Sequence, residues 1–332
     1  MKIKFSILIL LLCIAFIADI LLGSVHLSFG EVWSALSGNS DDSIYREIVL
    51  NHRLPKAITA ILTGTALSVA GVLMQTLFRN PLAGPDVLGV TSGASLGVAL
   101  LTLTSSALPI YILASWGQIS AAIIGAIVVL LLVVIVSVRI PQTVSLLIIG
   151  MMFGNFAGAI VSILQSASNP DTLKLFITWT FGSLSSVSWA QMSIMMPVIV
   201  VGIALAWGMQ KQLNVLLLGD NYATGLGISV FRTRLWVILS TALLAGTSTA
   251  FTGPIAFIGV TVPHIARGLF HSSNHRIIIP SSILCGAIIM LVCDLISQLP
   301  GSQGLLPINS VTALFGAPII IWIITKNKGI SQ

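Results

Sequence analysis

Hydrophobic residues fill long uninterrupted stretches of this chain, and short polar or glycine- and proline-containing segments separate them. A bilayer core of about 30 Å is crossed by about 20 apolar residues in a helix, at about 1.5 Å per residue. Ten stretches approach this length, and each predicts a membrane-spanning helix. The predicted spans are Phe5–Leu22, Ala57–Leu77, Val87–Thr104, Gly117–Val138, Val144–Leu164, Gln191–Met209, Leu235–Phe251, Ile255–Leu269, Ile277–Ser297 and Val311–Thr325.

Three apolar segments differ from a simple span. The eighth stretch, Ile255–Leu269, is short, so a full span and a re-entrant helix both remain open. Leu173–Leu184 is interrupted by Gly182, which predicts a short helix at the membrane surface. The first stretch follows two lysines, as a signal peptide does. It is long, contains Asp19 and precedes no Ala-x-Ala-like site, so we predict a retained helix.

Charged residues make up only 7% of the 332 residues, whereas 56% are hydrophobic and the mean hydropathy is +1.06. Soluble globular domains carry about 25% charged residues, and disordered chains are rich in charge. Both classes are therefore excluded, and most of the surface must face lipid. The three cysteines lie in apolar stretches without Cys-x-x-Cys spacing, so neither a metal site nor a disulfide is predicted.

The basic residues between the stretches predict the orientation, because Lys and Arg accumulate in cytoplasmic loops. Ten crossings with both termini in the cytoplasm place most of the 15 basic residues inside. This distribution explains the pI of 9.6 without nucleic-acid binding. The inside set is Lys2, Lys4, Arg79, Arg139, Lys211, Arg232, Arg234, Arg267, Arg276, Lys326 and Lys328, and the outside set is Arg46, Arg53, Lys56 and Lys174.

One short internal match suggests a duplication within a single membrane domain, residues 1–332. Gly84–Thr91 is similar to Gly253–Thr261, and each segment follows a long apolar stretch. Duplicated halves are common in transporters. Residues of about 53–165 and 235–325 are therefore predicted to be related halves, with a chance match as the alternative.

Glycines also recur every four residues within two spans, a spacing that lets helix backbones approach closely. We interpret these glycines as packing positions rather than substrate contacts. They are Gly89, Gly93 and Gly97, and Gly150, Gly154 and Gly158.

Carboxylates within the spans are restricted to Asp19 and Asp294, both near predicted outer ends where we expect water to reach them. A charge at mid-membrane costs about 2.5–3.5 kcal/mol on insertion scales. The sequence places no carboxylate near the membrane centre to carry a proton or sodium ion. It therefore argues against an ion- or proton-coupled secondary transporter, which is kept as the alternative function.

Two polar segments flank the second span. Arg53 and Lys56 lie one turn apart at its outer entrance, where they suit either a docking surface for acidic residues or ordinary interfacial anchoring. Pro55, between them, suits a helix start. The segment Phe78–Asp86 contains two prolines and a glycine, which predict a turn on the inside.

The segment Leu213–Gly227 lies on the inside and is too interrupted to cross the membrane. Gly219 and Asp220 predict a break and a cap between two short helices. An apolar loop with few charges is unusual unless something covers it, because exposed apolar patches mark interaction sites. We therefore predict a partner that covers this loop, with packing against the chain's own bundle as the alternative.

Catalytic patterns are missing from the sequence. It contains no G-x-x-x-x-G-K-[ST] phosphate-binding loop, no H-E-x-x-H and no G-x-S-x-G. His264 and Arg267 lie one turn apart without a third ligand, and we interpret them as interfacial groups. The chain is therefore predicted to be no enzyme, with no catalytic residue and no metal ligand.

Four blocks of motifs resemble the FecCD-type permeases of binding-protein-dependent ABC importers for iron-siderophores, haem and vitamin B12. The resemblance covers nearly the whole chain, with the blocks in the family's order and spacing. The blocks are Arg53–Lys56, Gly71–Gln75, Asn80–Ala83, Leu88-Gly89 and Ser92–Ala94; Thr178-Trp179 with Gly182–Leu184; Leu213-Asn214, Leu218–Asp220, Ala223 and Leu226-Gly227; and Gly253–Ile255, Phe257–Gly259, Pro263–Arg267 and Gly316–Pro318.

This resemblance implies an all-α, polytopic subunit of about ten transmembrane helices with the type II ABC importer permease fold, located in the cell inner membrane. It implies a homodimer or heterodimer with a second permease. Two ATPase subunits hold the ATP and Mg²⁺, and this chain binds no cofactor. A periplasmic or lipid-anchored binding protein delivers the cargo, which moves by alternating access. The motifs do not distinguish siderophore, haem and cobalamin.

The resemblance also assigns roles to individual positions. Arg53 and Lys56 are expected to meet acidic residues of the binding protein. The pathway constriction is expected at Asn80, Pro81, Leu82, Thr143 and Val144. The ATPase-coupling loop is expected to use Leu213, Asn214, Leu218, Gly219, Asp220, Ala223, Leu226 and Gly227.

Three positions depart from the family pattern. Gln298 stands where the family often has an Arg four residues after the Asp of the ninth span, so one docking cation is missing. Asn309 replaces the Gly of a Pro-x-Gly before the last span, and His271 lies close to a usual Gly after the Pro-His-x-x-Arg segment. None of these removes a motif that defines the fold.

Overall fold

A computed structural model describes residues 1–23, 27–38, 43–104, 115–139, 142–298 and 306–327. Every regular element in these ranges is helical, which confirms the all-α class. Lys328, one of the basic residues assigned to the inside, lies outside them.

The helices follow one another through short connections. The first seven are α1 (Lys2–Leu21), α2 (Phe29–Ser37), α3 (Ser43–Leu77), α4 (Val90–Thr104), α5 (Ser115–Arg139), α6 (Thr143–Ser166) and α7 (Pro170–Thr180). The next seven are α8 (Trp189–Gly208), α9 (Gln210–Leu216), α10 (Asp220–Gly225), α11 (Val230–Thr252), α12 (Ile258–Phe270), α13 (His275–Ser297) and α14 (Ile308–Asn327). Two π-helical turns, Ile48–Arg53 and Ala242–Gly246, lie within α3 and α11, and a 3₁₀-helix, Pro85–Leu88, precedes α4.

All ten predicted spans are helical. By length and composition, 7 of these helices are long and apolar enough to cross a membrane, namely α1, α3, α5, α6, α8, α11 and α13. The other three spans correspond to α4, α12 and α14, of which α12 has only 13 residues, a length of about 20 Å. The polytopic architecture of about ten helices is confirmed.

Helix α3 lies at the centre of the bundle and is buried along almost its whole length from Pro55 to Leu77. It packs against α12 and α13. Small residues allow this approach, because a Cβ added at Gly64 or Gly71 would overlap with the backbone of Gly286 or Gly259. The backbones are therefore in direct contact, and the end of α3 is held firmly against its neighbours.

As predicted, Pro55 lies in the first turn of an α-helical segment, Leu54–Leu77, but α3 as a continuous helix begins well before the predicted span. The helix begins at Ser43, and the π-helical turn Ile48–Arg53 comes just before the proline. Inside a regular helix, a proline ring clashes with the carbonyl group four residues earlier. The wider hydrogen-bonding pattern of a π-helical turn relieves this clash.

The recurring glycines lie mostly where helices touch. A Cβ at Gly93 or Gly97 would meet the backbone of α5, and one at Gly150 would meet the carbonyl oxygen of Val87. Gly158 is different, because a Cβ there would have open space around it. The packing interpretation is therefore confirmed for Gly93, Gly97 and Gly150 and wrong for Gly158.

Candidate functional site

The residues predicted to carry function lie at two opposite ends of the bundle, which α3 connects. Arg53 and Lys56 lie in the first half of α3, at and just after its π-helical turn, at what we call the far end. The turn Asn80–Leu82 follows the end of α3, at what we call the loop end. The loop end also carries the loop Leu213–Gly227 and the start of α6 at Thr143.

The loop Leu213–Gly227 consists of two short helices, as predicted. Helix α9 ends at Leu216, and α10 begins at Asp220. Between them Gly219 has a φ of 115°, a conformation that side chains with a Cβ rarely adopt. The sequence break is thus a sharp corner that directs α10 away from α9.

The apolar residues of this loop divide into two faces. Leu213 and Ala223 are fully buried against the bundle. Leu218, Tyr222 and Leu226 are exposed by 63%, 68% and 62%. Packing against the bundle is therefore confirmed for one face. The other face is an exposed apolar patch, and a partner that covers it stays a prediction.

Asp220 binds two arginines at once. Its Oδ1 accepts a hydrogen bond from Nη2 of Arg79, and its Oδ2 accepts one from Nη2 of Arg234 at 2.6 Å. The same Nη2 of Arg234 also donates to Oγ1 of Thr143 at 2.7 Å. Asp220 therefore connects the loop to residues at both predicted constriction segments.

These residues surround a cavity of about 390 Å³ at the loop end. Its lining consists of Phe78, Arg79, Gln142, Thr143, Val144 and Asp220. The cavity thus brings together the second predicted constriction segment, Thr143 and Val144, the loop residue Asp220, and Phe78 and Arg79, which directly precede the first predicted segment.

The turn after α3 is held from within and from α12. Arg79 adopts a positive φ of 45°, and Oδ1 of Asn80 accepts the backbone N–H of Leu82 at 2.9 Å. Nε2 of His264 donates to the carbonyl oxygen of Pro81 at 2.7 Å. His264 therefore braces the constriction turn, which is a more specific role than the interfacial one predicted for it.

A second connection joins the loop to the ends of α3 and α13. Oδ1 of Asn214 accepts from the backbone N–H of His275 at 2.9 Å and from its ring Nδ1 at 2.7 Å. Nε2 of His275 lies 2.8 Å from Oγ1 of Thr76. Nδ2 of Asn214 donates to Oδ1 of Asn274 at 3.1 Å. Asn214 is therefore part of a partly buried network that anchors α9.

At the far end, Lys56 lies between two carboxylates in the interior. Its Nζ is 2.7 Å from Oδ2 of Asp294 and 3.6 Å from Oδ1 of Asp19. Asp19 is fully buried, and Lys56 and Asp294 are almost fully buried. The expectation that water reaches the two acids is therefore wrong, because α1, α3 and α13 close around them.

Arg53 is also engaged within the chain. Its Nη1 donates to the carbonyl oxygens of Ile20 and Leu21, at 2.7 and 2.9 Å. These carbonyls lie in the last turn of α1, where a helix leaves acceptors unpaired. The docking role of Arg53 and Lys56 stays a prediction, to which the structure adds that both side chains are buried.

The three departures from the family pattern each have a structural counterpart. Gln298 donates from Nε2 to Oδ2 of Asp294 at 2.6 Å, so it completes the buried cluster without adding a charge. Oδ1 of Asn309 accepts the backbone N–H of Ala256 at 3.1 Å and ties the start of α14 to the segment before α12. His271 has a φ of 49° and ends α12 in the conformation that glycine usually supplies.

A larger cavity, of about 710 Å³, opens at the far end between α5, α7, α8 and α11. Asp171, Lys174 and Trp179 of α7 lie on one side of it, and Gln118 and Gln191 on others. Among the residues that the structure describes, no group of three or more His, Cys, Asp or Glu side chains could hold a metal ion.

Sequence reasoning missed Arg79, Arg234 and His264 as parts of the site. Arg79 and Arg234 were interpreted only as topology signals, because Arg79 is 141 residues from Asp220 along the chain. The available signal was the single carboxylate of the loop in a region otherwise rich in basic residues. This carboxylate predicts cationic partners but does not identify the arginines that bind it.

The chain is similar to known transport proteins along nearly its whole length. The model of the FecCD transport family matches residues 10–326. The vitamin B12 import system permease protein BtuC of Vibrio cholerae is 37% identical over 309 residues, which are 91% of this chain and 90% of the relative. The hemin transport system permease protein HmuU of Yersinia pestis is 32% identical over 332 residues, 98% of this chain and 96% of the relative.

Two solved structures share the fold. One, assigned to the metal-chelate type of ABC transporter and in an inward-facing conformation, matches with a TM-score of 0.86 at 29% identity. The match covers 98% of this chain and 99% of the other. PsaBC from Streptococcus pneumoniae matches with a TM-score of 0.55 at 19% identity over 87% of this chain and 94% of the other, and shows the fold alone.

Proposed function

The chain belongs to the FecCD transport family, and on that basis we propose that it imports an iron-siderophore, haem or vitamin B12 across the inner membrane by alternating access. It is the membrane-spanning permease of an ATP-binding-cassette importer. Relatives named for vitamin B12 import and hemin transport support this range of cargo. The bundle supplies the pathway, and partner subunits supply the energy.

The observation that carries the proposal is the exposed apolar face of the loop. Leu218, Tyr222 and Leu226 lie on α10 and its flanks, and each is more than half exposed at the loop end. This end faces the cytoplasm in the predicted orientation, where lipid does not cover it. We assign this face to one of two ATPase subunits, which bind the ATP and Mg²⁺ because this sequence has no phosphate-binding motif.

The pathway in this proposal lies between two permease subunits, identical or related. Leu82 and Val144, both predicted at the constriction, are exposed by 46% and 68% in the single chain. Apolar side chains exposed at the end of a buried helix and at the start of another suit a narrow passage completed by a second subunit. Asn80, Pro81 and Thr143 shape the two turns that present these side chains.

Orientation and docking complete the proposal. Both termini and the loop end face the cytoplasm, as the distribution of basic residues favours. The far end, with Arg53 and Lys56, receives the binding protein from the other side. Because both residues are buried, their variants must be compared with the wild type at equal amounts of folded permease. A weaker complex with the binding protein then supports the docking role.

A binding measurement tests the assignment of the loop. The triple variant Leu218→Ser, Tyr222→Ser and Leu226→Ser should lose affinity for the cognate ATPase in detergent. A leucine that becomes fully buried contributes about 1.5–3 kcal/mol, so binding should weaken at least about tenfold. The control is Leu82→Ser, which removes an exposed leucine from the same end but outside the loop.

Unchanged ATPase affinity in the triple variant would refute the assignment of this face. Uptake into proteoliposomes that contain the permease alone, driven by an ion gradient without nucleotide, would refute the ABC importer function. That result would favour an ion- or proton-coupled secondary transporter instead, with Asp19 and Asp294 as its ionisable groups.

A further inference from the structure

The contacts of Asp220 indicate how movement of the loop reaches the pathway, an inference that rests on the proposed function. Asp220 is the first residue of α10, the helix that carries the exposed apolar face. Its two carboxylate oxygens bind different arginines, Arg79 and Arg234. A displacement of α10 by a partner therefore acts on both arginines together.

The first arginine connects the loop to the turn after α3. Arg79 immediately precedes Asn80, so its backbone is part of that turn. Its positive φ of 45° is a conformation that a non-glycine residue adopts only where surrounding contacts enforce it. On the other side, His264 holds the carbonyl oxygen of Pro81. The turn is thus held between the loop and α12.

The second arginine connects the loop to the start of α6. Arg234 lies on α11, and its Nη2 uses its two N–H groups for Asp220 and for Oγ1 of Thr143. Thr143 is the first residue of α6 and is followed by the exposed Val144. The carboxylate, the guanidinium and the hydroxyl form one chain of hydrogen bonds from the loop to the second constriction segment.

The strengths of these contacts suit a connection that moves with the loop. The side chain of Arg234 is only 11% exposed, and charge-assisted hydrogen bonds in such surroundings are directional and strong. Arg79 is 40% exposed and Asp220 34%, so that pair is partly screened and contributes little stability of its own. The fold therefore depends little on Arg79–Asp220, which leaves this pair available for positioning.

We propose that Asp220 is a positioning residue that transmits movement of the ATPase-contacting loop to both constriction segments, through Arg79 and through Arg234 with Thr143. Without its carboxylate, the loop still binds the ATPase through its apolar face. The constriction then no longer follows the loop. Hydrolysis continues, and transport fails.

The experiment measures ATP hydrolysis and cargo uptake in the same proteoliposomes, with the complete complex. For Asp220→Asn and for Arg79→Gln, cargo moved per ATP hydrolysed should fall about tenfold, which lies within the usual range of coupling between sites. ATPase binding in detergent should stay at its wild-type value in both variants. Thermal stability should also stay at its wild-type value in Arg79→Gln, because the Arg79–Asp220 pair is partly screened. Asp220→Glu, which keeps the charge, should recover part of the coupling.

A double-mutant cycle identifies the pair. The variant Arg79→Gln/Asp220→Asn should be no worse than the poorer single variant, because the two residues act through one contact. Arg232→Gln is the matched control, since Arg232 lies two residues from Arg234 on the same helix and is exposed. Arg232→Gln should keep the wild-type ratio of cargo moved to ATP hydrolysed.

The proposal would be overturned by a normal transport ratio in Asp220→Asn, by additive effects in the double variant, or by an equal loss in Arg232→Gln. Loss of ATPase binding in Asp220→Asn would also overturn it, since Asp220 would then belong to the interface itself. The proposed function is tested by a different measurement, the ATPase affinity of the Leu218, Tyr222 and Leu226 variant. Its failure is therefore distinguishable from failure of the role of Asp220.

Discussion

The charges at the far end show how a single residue can have a different environment from the one its position suggests. Lys56 looks exposed in the sequence, because it lies at the entrance of a span beside Arg53. In the fold, Asp19 and Asp294 surround its amino group and remove it from water. Two acids and one base share this buried space, and Gln298 supplies a neutral donor. The cluster joins α1, α3 and α13.

Removal of Lys56 alone should destabilise the protein strongly. Lys56→Met leaves two buried carboxylates without their lysine partner, and breaking a buried ion pair in this way costs about 3–5 kcal/mol. We expect a large fall in the thermal unfolding midpoint of the detergent-solubilised permease. The triple variant Asp19→Asn/Lys56→Met/Asp294→Asn removes every charge and should recover most of the loss.

If the triple variant is as unstable as Lys56→Met, the cluster contributes more than charge balance and this account is wrong. Arg46→Met, which removes an exposed cation from the same end, is the control and should leave the midpoint unchanged.

At the scale of helices, small residues decide which elements touch. The glycines of α4 and α5 face each other, so that the two backbones lie in contact. The four-residue spacing predicted this kind of packing from the sequence alone. It could not identify the partner, and it treated Gly158 like its neighbours although that glycine faces open space. The spacing of the glycines identifies one face of a helix, whereas the helix that packs on this face depends on the whole bundle.

Two glycine-to-alanine substitutions test this difference. Gly97→Ala places a methyl group against the carbonyl oxygen of Ala121, and such overpacking typically costs about 1–3 kcal/mol. Gly158→Ala fills open space and gains up to about 1 kcal/mol of helix propensity. Thermal unfolding in detergent should therefore show a lower midpoint for the first variant and an unchanged or higher one for the second. Equal shifts in both variants would contradict the packing described for α4 and α5.

At the scale of the whole molecule, the chain is an apolar bundle whose two ends differ in chemistry. The loop end carries most of the predicted inside cations and a single loop carboxylate, Asp220. The far end carries the buried cluster and the cavity beside α7. The segments Gly84–Thr91 and Gly253–Thr261 each connect a long helix to a short one. This similarity agrees with related halves, which stay a prediction.

The orientation of these two ends is testable by cysteine labelling. In a background where Cys13, Cys285 and Cys293 are replaced by alanine, Asp171→Cys and Tyr222→Cys introduce exposed thiols at the far end and the loop end. A membrane-impermeant maleimide should label Asp171→Cys in intact spheroplasts and Tyr222→Cys only after permeabilisation. The reverse pattern would place the termini outside and would contradict the orientation.

The sequence by itself determined the apolar, polytopic all-α class, nearly every helix, the break at Gly219 and the family. These properties depend on hydrophobic length, on local backbone preference and on motif order, all of which act along the chain. The start of α3 was missed, because a π-helical turn that accommodates Pro55 leaves no simple pattern in the sequence.

Only the tertiary structure decided which charges meet. Asp220 reaches Arg79 across 141 residues, and Lys56 reaches acids on α1 and α13. Ion pairs depend on distance and burial in space, and the residue types alone allow many pairings. The same reason explains why Arg53 and Lys56 are buried rather than free on a surface: the packing of three helices, and not the local sequence, sets how much water reaches them.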